Sequence, residues 1–403
     1  MSTFGPDDRA LNLSTKLVHA TQADAEGFQG QAVPVYRGSS TFFENTAAQR
    51  AHVDALGLDY SYGLHGNPTQ YTLAQQLAHI EGAKHALVCP SGLAAITLVA
   101  TACLKHGDHW LIPGNVYGPV QTLARQLQTD YGVAFGEYDP CNVASVKAAL
   151  QPNTKLIWTE APGSLTFEVP DLQAIVELAH AHGARAGIDN TWSAGLVFKP
   201  FEHGFDYSVQ ALTKYQCGHA DVLMGAVLAN NTQAFADVER RNRVFGLGVG
   251  PDDCSLVLRG LLTLPLRFEH QGKQALELAR RLESHPAVAT VLHPAVPNCP
   301  GHSNFKQLFT GSASIFSVVL NDIYTDAQAC QVVDALKLFE IAYSWGGPES
   351  LALVVNIPQA RRQQLAQALG CEPGPILRLA IGLENVEDLW QDLQQALQTL
   401  QLP

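Results

Sequence analysis

The chain has 403 residues, 46% of them hydrophobic and 15% charged, enough for one large domain and a smaller one. A formal net charge of −12, from 37 acidic and 25 basic residues, argues against general nucleic-acid binding, although a few local donors could still hold an anionic ligand. No apolar run reaches the roughly 18–20 residues that span a bilayer, and MSTFGPDDRALNL lacks the layout of a secretory signal, so a soluble cytoplasmic protein is expected.

Residues 1–60 carry weak periodicity and several glycines, and read as an arm that packs on something else. Within 61–262, short apolar runs alternate with helical patterns. ALVC at 86–89, WLIP at 110–113, LIWTE at 156–160, ARAGID at 184–189 and DYSVQAL at 206–212 read as strands. LAAITLVATACLK and DLQAIVELAHAHG between them read as helices. Such alternation predicts an α/β fold with right-handed crossovers and a mostly parallel sheet covered on both faces. Ligands of such sheets sit at the carboxyl ends of the strands. After LRGLLTLPLRFEHQ the character changes, and a boundary is placed near residue 262. Residues 263–403 read as a smaller α+β domain, with ASIFSVVL, LALVVNI and ILRLAIGL as strands.

The eight cysteines form no C-x-x-C pair and read as reduced thiols, most of them packed in the core. For Cys217, three residues after Lys214, packing is favoured over lining a site. Among the fifteen histidines, His180 and His182 end a helical pattern and no H-E-x-x-H spacing occurs, so no metal site is expected.

Three motifs fall at strand ends. In VCPSGLAAI, Gly92 lets the backbone approach closely, and the first N–H groups of a helix opening at Leu93 or Ala94 suit a phosphate; an ordinary strand-to-helix turn would look the same. In AGIDNTWSAG, Asp189 ends a strand, where it could face a ligand or merely cap the next turn. In VQALTKYQCGHADVLMG, Lys214 follows a strand end beside Thr213, and a lone lysine is usually a solvated charge. The ordered set changes that balance. A phosphate cradle, a partner for a protonated ring nitrogen and an amine are what a pyridoxal 5′-phosphate (PLP) site requires.

These stretches resemble the cystathionine γ-synthase and β-lyase family of PLP enzymes over essentially the whole chain. The resemblance extends through LDYSYGLHGNPT, IPGNVYGP, TEAPGSLTFEVPD, LRGLLTLPLR, FTGSASIFS, AYSWGGPESL and ILRLAIGLE. It implies the PLP-dependent transferase fold type I: a PLP-binding domain, a small C-terminal domain, and an N-terminal arm reaching a partner subunit. It further implies a homotetramer, a dimer of dimers with shared active sites. Position by position, Lys214 matches the lysine that carries the cofactor as a Schiff base and moves protons. Asp189 matches the pyridine-nitrogen partner, and Tyr117 the aromatic stacked on the ring. Gly92, Leu93 and Thr213 match the phosphate cradle, Tyr62 a tyrosine donated by the neighbouring subunit, and Arg378 the arginine that grips the substrate α-carboxylate.

Ser164, Tyr343 and the Ser344–Trp345 pair are similar to the β-lyase branch. γ-Type members usually carry asparagine, glutamate and a small aliphatic residue at positions 164, 343 and 345. The implied reaction is β-elimination from L-cystathionine to homocysteine, pyruvate and ammonia. Alternatives are a γ-type member (cystathionine γ-synthase, γ-lyase or methionine γ-lyase), a broad cysteine-S-conjugate β-lyase, or a non-catalytic homologue. Two positions depart from the family pattern: Leu64 stands where an arginine usually reaches the partner's phosphate, with His65 beside it, and Ala211 replaces a common phosphate-binding serine.

Overall fold

The computed structural model describes residue 30, residues 32–52 and residues 60–400. Val35–Pro403 groups as one unit, and every element below lies in it; Met1–Pro34 groups as a second. Most of the expected arm at 1–60 lies outside the described residues.

Seven strands form the first sheet: β1 (His85–Cys89), β2 (His109–Pro113), β3 (Ala134–Tyr138), β4 (Thr154–Glu160), β5 (Arg185–Asp189), β6 (Tyr207–Gln210) and β7 (Gly225–Ala229). Their order is β1-β7-β6-β5-β4-β2-β3. β2 to β6 run parallel, whereas β7 runs antiparallel to both β1 and β6. β3 and β7 were not among the expected strands. GAVLA is a short run buried at every position, which has no alternation to report a strand. The reversal at β7 has a consequence for the site. Because β7 begins where β6 ends, the connection between them, residues 211–224, stays at the carboxyl edge of the sheet.

Local chemistry starts and stops the covering helices. Asn67 caps helix Pro68–Glu81 by accepting from the Gln70 N–H, and Pro68 sits in the first turn. Ser91 caps helix Gly92–Cys103, and Asp171 caps Leu172–His182, which ends at left-handed Gly183. The helix expected from Leu93 or Ala94 therefore opens at Gly92. Ile96, Val99, Trp110, Ile112, Leu156, Trp158 and Val227 form the buried centre beneath it.

The chain leaves this sheet through helices Pro251–Leu261 and Leu264–Glu283. It then builds an antiparallel sheet in the order β10-β11-β9-β8, from β8 (Val288–Leu292), β9 (Ile315–Leu320), β10 (Leu351–Val355) and β11 (Ile376–Ala380). A second core gathers Leu278, Leu282, Phe316, Val318, Leu377 and Leu389 from its strands and helices. The expected strands at 313–320, 351–357 and 376–383 are each trimmed by a few residues, and β8 is additional.

All eight cysteines are free, but only Cys89, Cys217, Cys254 and Cys299 are buried. The expectation that most lie in the core is corrected: Cys141, Cys330 and Cys371 are exposed. No group of three metal-ligating side chains occurs among the described residues, and no described helix is long and apolar enough to cross a membrane.

Candidate active site

The carboxyl ends of β4, β5 and β6 open on a cavity of about 190 Å³. Lys214, Asp189, Tyr117, Gly92, Leu93, Thr213, Ser164, Trp345 and Arg378 all line it. Nine of the expected site residues, drawn from both sheets and from turns up to nearly 300 positions apart, therefore share one space.

Lys214 sits in the tight turn after β6, where its own N–H donates to the Ala211 carbonyl and the Gly218 N–H donates to its carbonyl. The next residue ties this turn to the second sheet, since the Tyr215 hydroxyl meets Ser314 Oγ at 2.8 Å and accepts from the Ser314 N–H at 2.8 Å. Lys214 Nζ lies 2.9 Å from Ser344 Oγ and 5.3 Å from the Trp345 ring centroid. Burial, with the Arg378 charge second and Asp189 opposing, holds the amine down to about 8. Ser344 has a positive φ of 83°, a backbone state disfavoured for a side chain of its kind. Its carbonyl accepts from Arg378 Nη2 at 3.2 Å, so one residue engages both cations. Arg378 lines the cavity, and its Nε is buried with no partner among the described residues, an unused donor of the kind a ligand can satisfy.

Asp189 accepts from the Thr191 N–H at 3.0 Å, and burial raises its carboxyl above the ordinary range, opposed by Thr191 and by the Lys214 charge. The Thr191 hydroxyl in turn accepts from the Ala211 N–H at 2.9 Å, fixing the start of the lysine turn to the end of β5. Gly92 opens its helix against Ala211, and an added Cβ there would lie 2.7 Å from the Ala211 Cβ. The N–H groups of Gly92 and Leu93 have no partner among the described residues and border the cavity. Thr213, matched to the phosphate cradle, lines the cavity with its hydroxyl engaged by the backbone. Its hydroxyl accepts from the Met224 N–H at 3.0 Å and donates to the Met224 carbonyl at 3.1 Å, clamping the lysine turn to the start of β7.

These groups fit PLP. A buried amine held near neutrality suits an aldehyde, a strand-end carboxylate suits a protonated ring nitrogen, and unpaired N–H groups at a helix start suit a phosphate.

Two expected residues stand apart from the cavity. Tyr62 is 54% exposed, packs edge-on against His65 and does not line it. Tyr343 is 87% exposed and does not line it either, although it lies near enough to Arg378 to act on that residue's charge. Leu64 and His65 border a different cavity, of about 160 Å³, beside helix Pro68–Glu81 and β1. There Ser61 Oγ lies 3.0 Å from His65 Nδ1. Cys217 is buried with its thiol toward the Thr213 carbonyl, outside the cavity lining.

Glu160 and Thr191 are among the lining residues that sequence reasoning missed. Glu160, the last residue of LIWTE, pairs in register with Asp189 and lines the same cavity. The signal was available, because the strand-end rule that singled out Asp189 applies equally to Glu160.

Residues 14–398 match the family described as Cys/Met metabolism PLP-dependent enzyme. The chain belongs to that family. Among its members, the cystathionine beta-lyase of Salmonella typhimurium is 36% identical over 385 residues, 94% of this chain and 97% of its own. An L-alanine/L-glutamate racemase of Wolbachia pipientis wMel is also 36% identical, over 377 residues, 91% of this chain and 92% of its own. The crystal structure of cystathionine gamma synthase from Xanthomonas oryzae pv. oryzae in complex with cystathionine superposes with a TM-score of 0.83 at 31% identity, covering 91% of this chain and 93% of that one. Family members of comparable similarity thus carry different reaction names.

Proposed function

We propose that this chain is a PLP-dependent carbon–sulfur β-lyase that cleaves L-cystathionine to homocysteine, pyruvate and ammonia. The observation that carries the reading is the single amine of Lys214, held between Ser344 Oγ and the Trp345 face in the cavity that Arg378 borders. Several relatives bear the cystathionine beta-lyase name, including those of Salmonella typhimurium and Bordetella avium. When bound, PLP supplies an aldehyde for the substrate amine and an electron sink for the carbon that loses its proton.

In this reading Arg378 receives the substrate α-carboxylate with its planar fork, exchanging the Ser344 carbonyl for a charged acceptor. Lys214, largely neutral above about pH 8, takes the Cα proton, and Ser344 Oγ orients its nitrogen. Asp189 holds a proton on the ring nitrogen through its charge, while Tyr117 walls the cavity. Departure of homocysteine from Cβ then needs one carbon-bound proton removed, whereas γ-chemistry needs a second from Cβ. A cytoplasmic homotetramer acting on a small amino acid completes the proposal. The exposed Tyr62 fits a residue that serves a neighbouring subunit.

Incubation of the purified protein with L-cystathionine tests the reading. Pyruvate and homocysteine are the expected products. A preponderance of 2-oxobutyrate and cysteine would make it a γ-lyase instead. The racemase relative adds a control: L-alanine converted to D-alanine, with cystathionine left intact, would move the assignment to racemisation.

A further inference from the structure

β4 and β5 are adjacent and parallel, and their last residues, Glu160 and Asp189, are register partners. Parallel partners in register project to the same face, so two carboxyl groups enter one cavity side by side. Asp189 has an evident use there, whereas Glu160 has none in the reading above. Glu160 Oε2 accepts from the backbone N–H of Tyr117 at 2.6 Å. Tyr117 is the N-cap position of helix Gly118–Tyr131, on the loop after β2, and its own side chain caps no N–H of that helix. Its ring is 45% exposed and lines the cavity, so the ring is held mainly by its backbone.

We propose that Glu160 is a positioning residue: its carboxyl anchors the Tyr117 main chain to the end of β4 and so fixes the aromatic wall against which a planar cofactor packs. This rests on the reading of the cavity as a PLP site. The charges support it. Burial first, then the Asp189 charge, push the Glu160 carboxyl well above the ordinary range, with the Tyr117 N–H opposing. Glu160 therefore keeps its proton more readily than an ordinary carboxyl does. A neutral carboxyl oxygen still accepts the Tyr117 N–H. Two anions here would repel each other in a poorly solvated space. The role is thus one of hydrogen bonding rather than of charge.

The distinction is testable without turnover, through the PLP dissociation constant of the apo-protein and the induced circular dichroism of the bound cofactor's visible band. Glu160→Ala is expected to weaken PLP by about 3- to 10-fold, the equivalent of one ordinary hydrogen bond, and to diminish the dichroic band. Glu160→Gln, which is neutral and keeps an acceptor, is expected to match the wild type in both. In a Tyr117→Ala background, Glu160→Ala is expected to add nothing further, because it acts through Tyr117. An unaltered Glu160→Ala overturns the proposal. So does a Glu160→Gln variant as impaired as Glu160→Ala, or an undiminished Glu160→Ala effect in the Tyr117→Ala background. Should Glu160→Ala lose its fold by far-ultraviolet dichroism, Glu160→Met keeps the bulk, lacks the acceptor and carries the same expectations. A wild-type chain that takes up no PLP overturns both this assignment and the reading beneath it, whereas normal uptake with an unaltered variant overturns this assignment alone.

Discussion

At the scale of single residues, Lys214 is made useful by being made uncomfortable. An exposed lysine amine is protonated near neutrality and cannot remove a proton from carbon. Burial of Lys214, with the Arg378 charge nearby, lowers its affinity for a proton. The unfolded chain has no such penalty, so the folded chain binds protons more weakly at this position. Protonated Lys214 therefore destabilises the fold below about pH 8, and the penalty fades as pH rises toward the ordinary lysine value of 10.5. Lys214→Met in the cofactor-free protein is expected to raise Tm at pH 7, with a gain that shrinks steadily above pH 8. A gain of equal size at every pH would show that packing, not ionisation, is responsible. Lys214, Asp189 and Gly92 were legible in the sequence because each lies at or just after a strand end, where such sheets bind ligands. Ser344, Trp345 and Arg378 were legible only by resemblance. They reach the cavity through contacts made more than 120 positions beyond Lys214, and no local pattern reports such a contact.

Between elements, the wall of the cavity is fastened by a buried ion pair that no local pattern of residues signals. The segment 161–168 leaves β4 through a cis Ala161–Pro162 bond and supplies Ser164 to the cavity. Its last residue, Glu168, is buried and receives Arg361 of helix Gln359–Leu369, together with the Thr166 hydroxyl and Asn115 Nδ2. Arg361 also donates to Thr166 Oγ1 at 2.8 Å. One helix between β10 and β11 in the chain thereby holds a loop that leaves the first sheet, and the loop's Ser164 N–H donates to the Asn115 carbonyl beside Tyr117. Arg361→Ala leaves Glu168 buried without its cation and is expected to destabilise the protein by about 3–5 kcal/mol, read as a lower urea midpoint. Arg361→Met with Glu168→Leu removes both charges and is expected to recover much of that loss. If the double variant is as weak as the single one, shape rather than charge holds the junction. Sequence periodicity could not show this pair, since QARRQQLAQAL has no apolar face to mark which arginine turns inward. For the same kind of reason β3, β7 and β8 escaped notice, being five-residue runs whose partners alone make them strands.

For the whole molecule, the site inside one chain lacks an expected member. Tyr62 lies outside the Lys214 cavity and is exposed, as are Leu262 at 79% and Leu266 at 71% on the helical connection between the sheets. Large apolar side chains left in water on neighbouring helices are the kind of surface that a second copy covers. If each cavity is completed by Tyr62 of the partner subunit, Tyr62 and Lys214 act at a site built from two chains, and defects at the two positions complement. Tyr62→Ala and Lys214→Ala homo-oligomers are each expected to be nearly inactive on L-cystathionine. In a hybrid dimer, one cavity combines intact Lys214 from one chain with intact Tyr62 from the other, while the second cavity carries both defects. Random pairing makes half of the dimers hybrid, so co-expression of the two variants is expected to restore about one quarter of wild-type activity. Restoration requires exchange of subunits, and mixing the two proteins after assembly serves as the control. Activity that stays at the level of the separate variants after co-expression, with hybrids confirmed by two affinity tags, would place Tyr62 in the service of its own chain or of none.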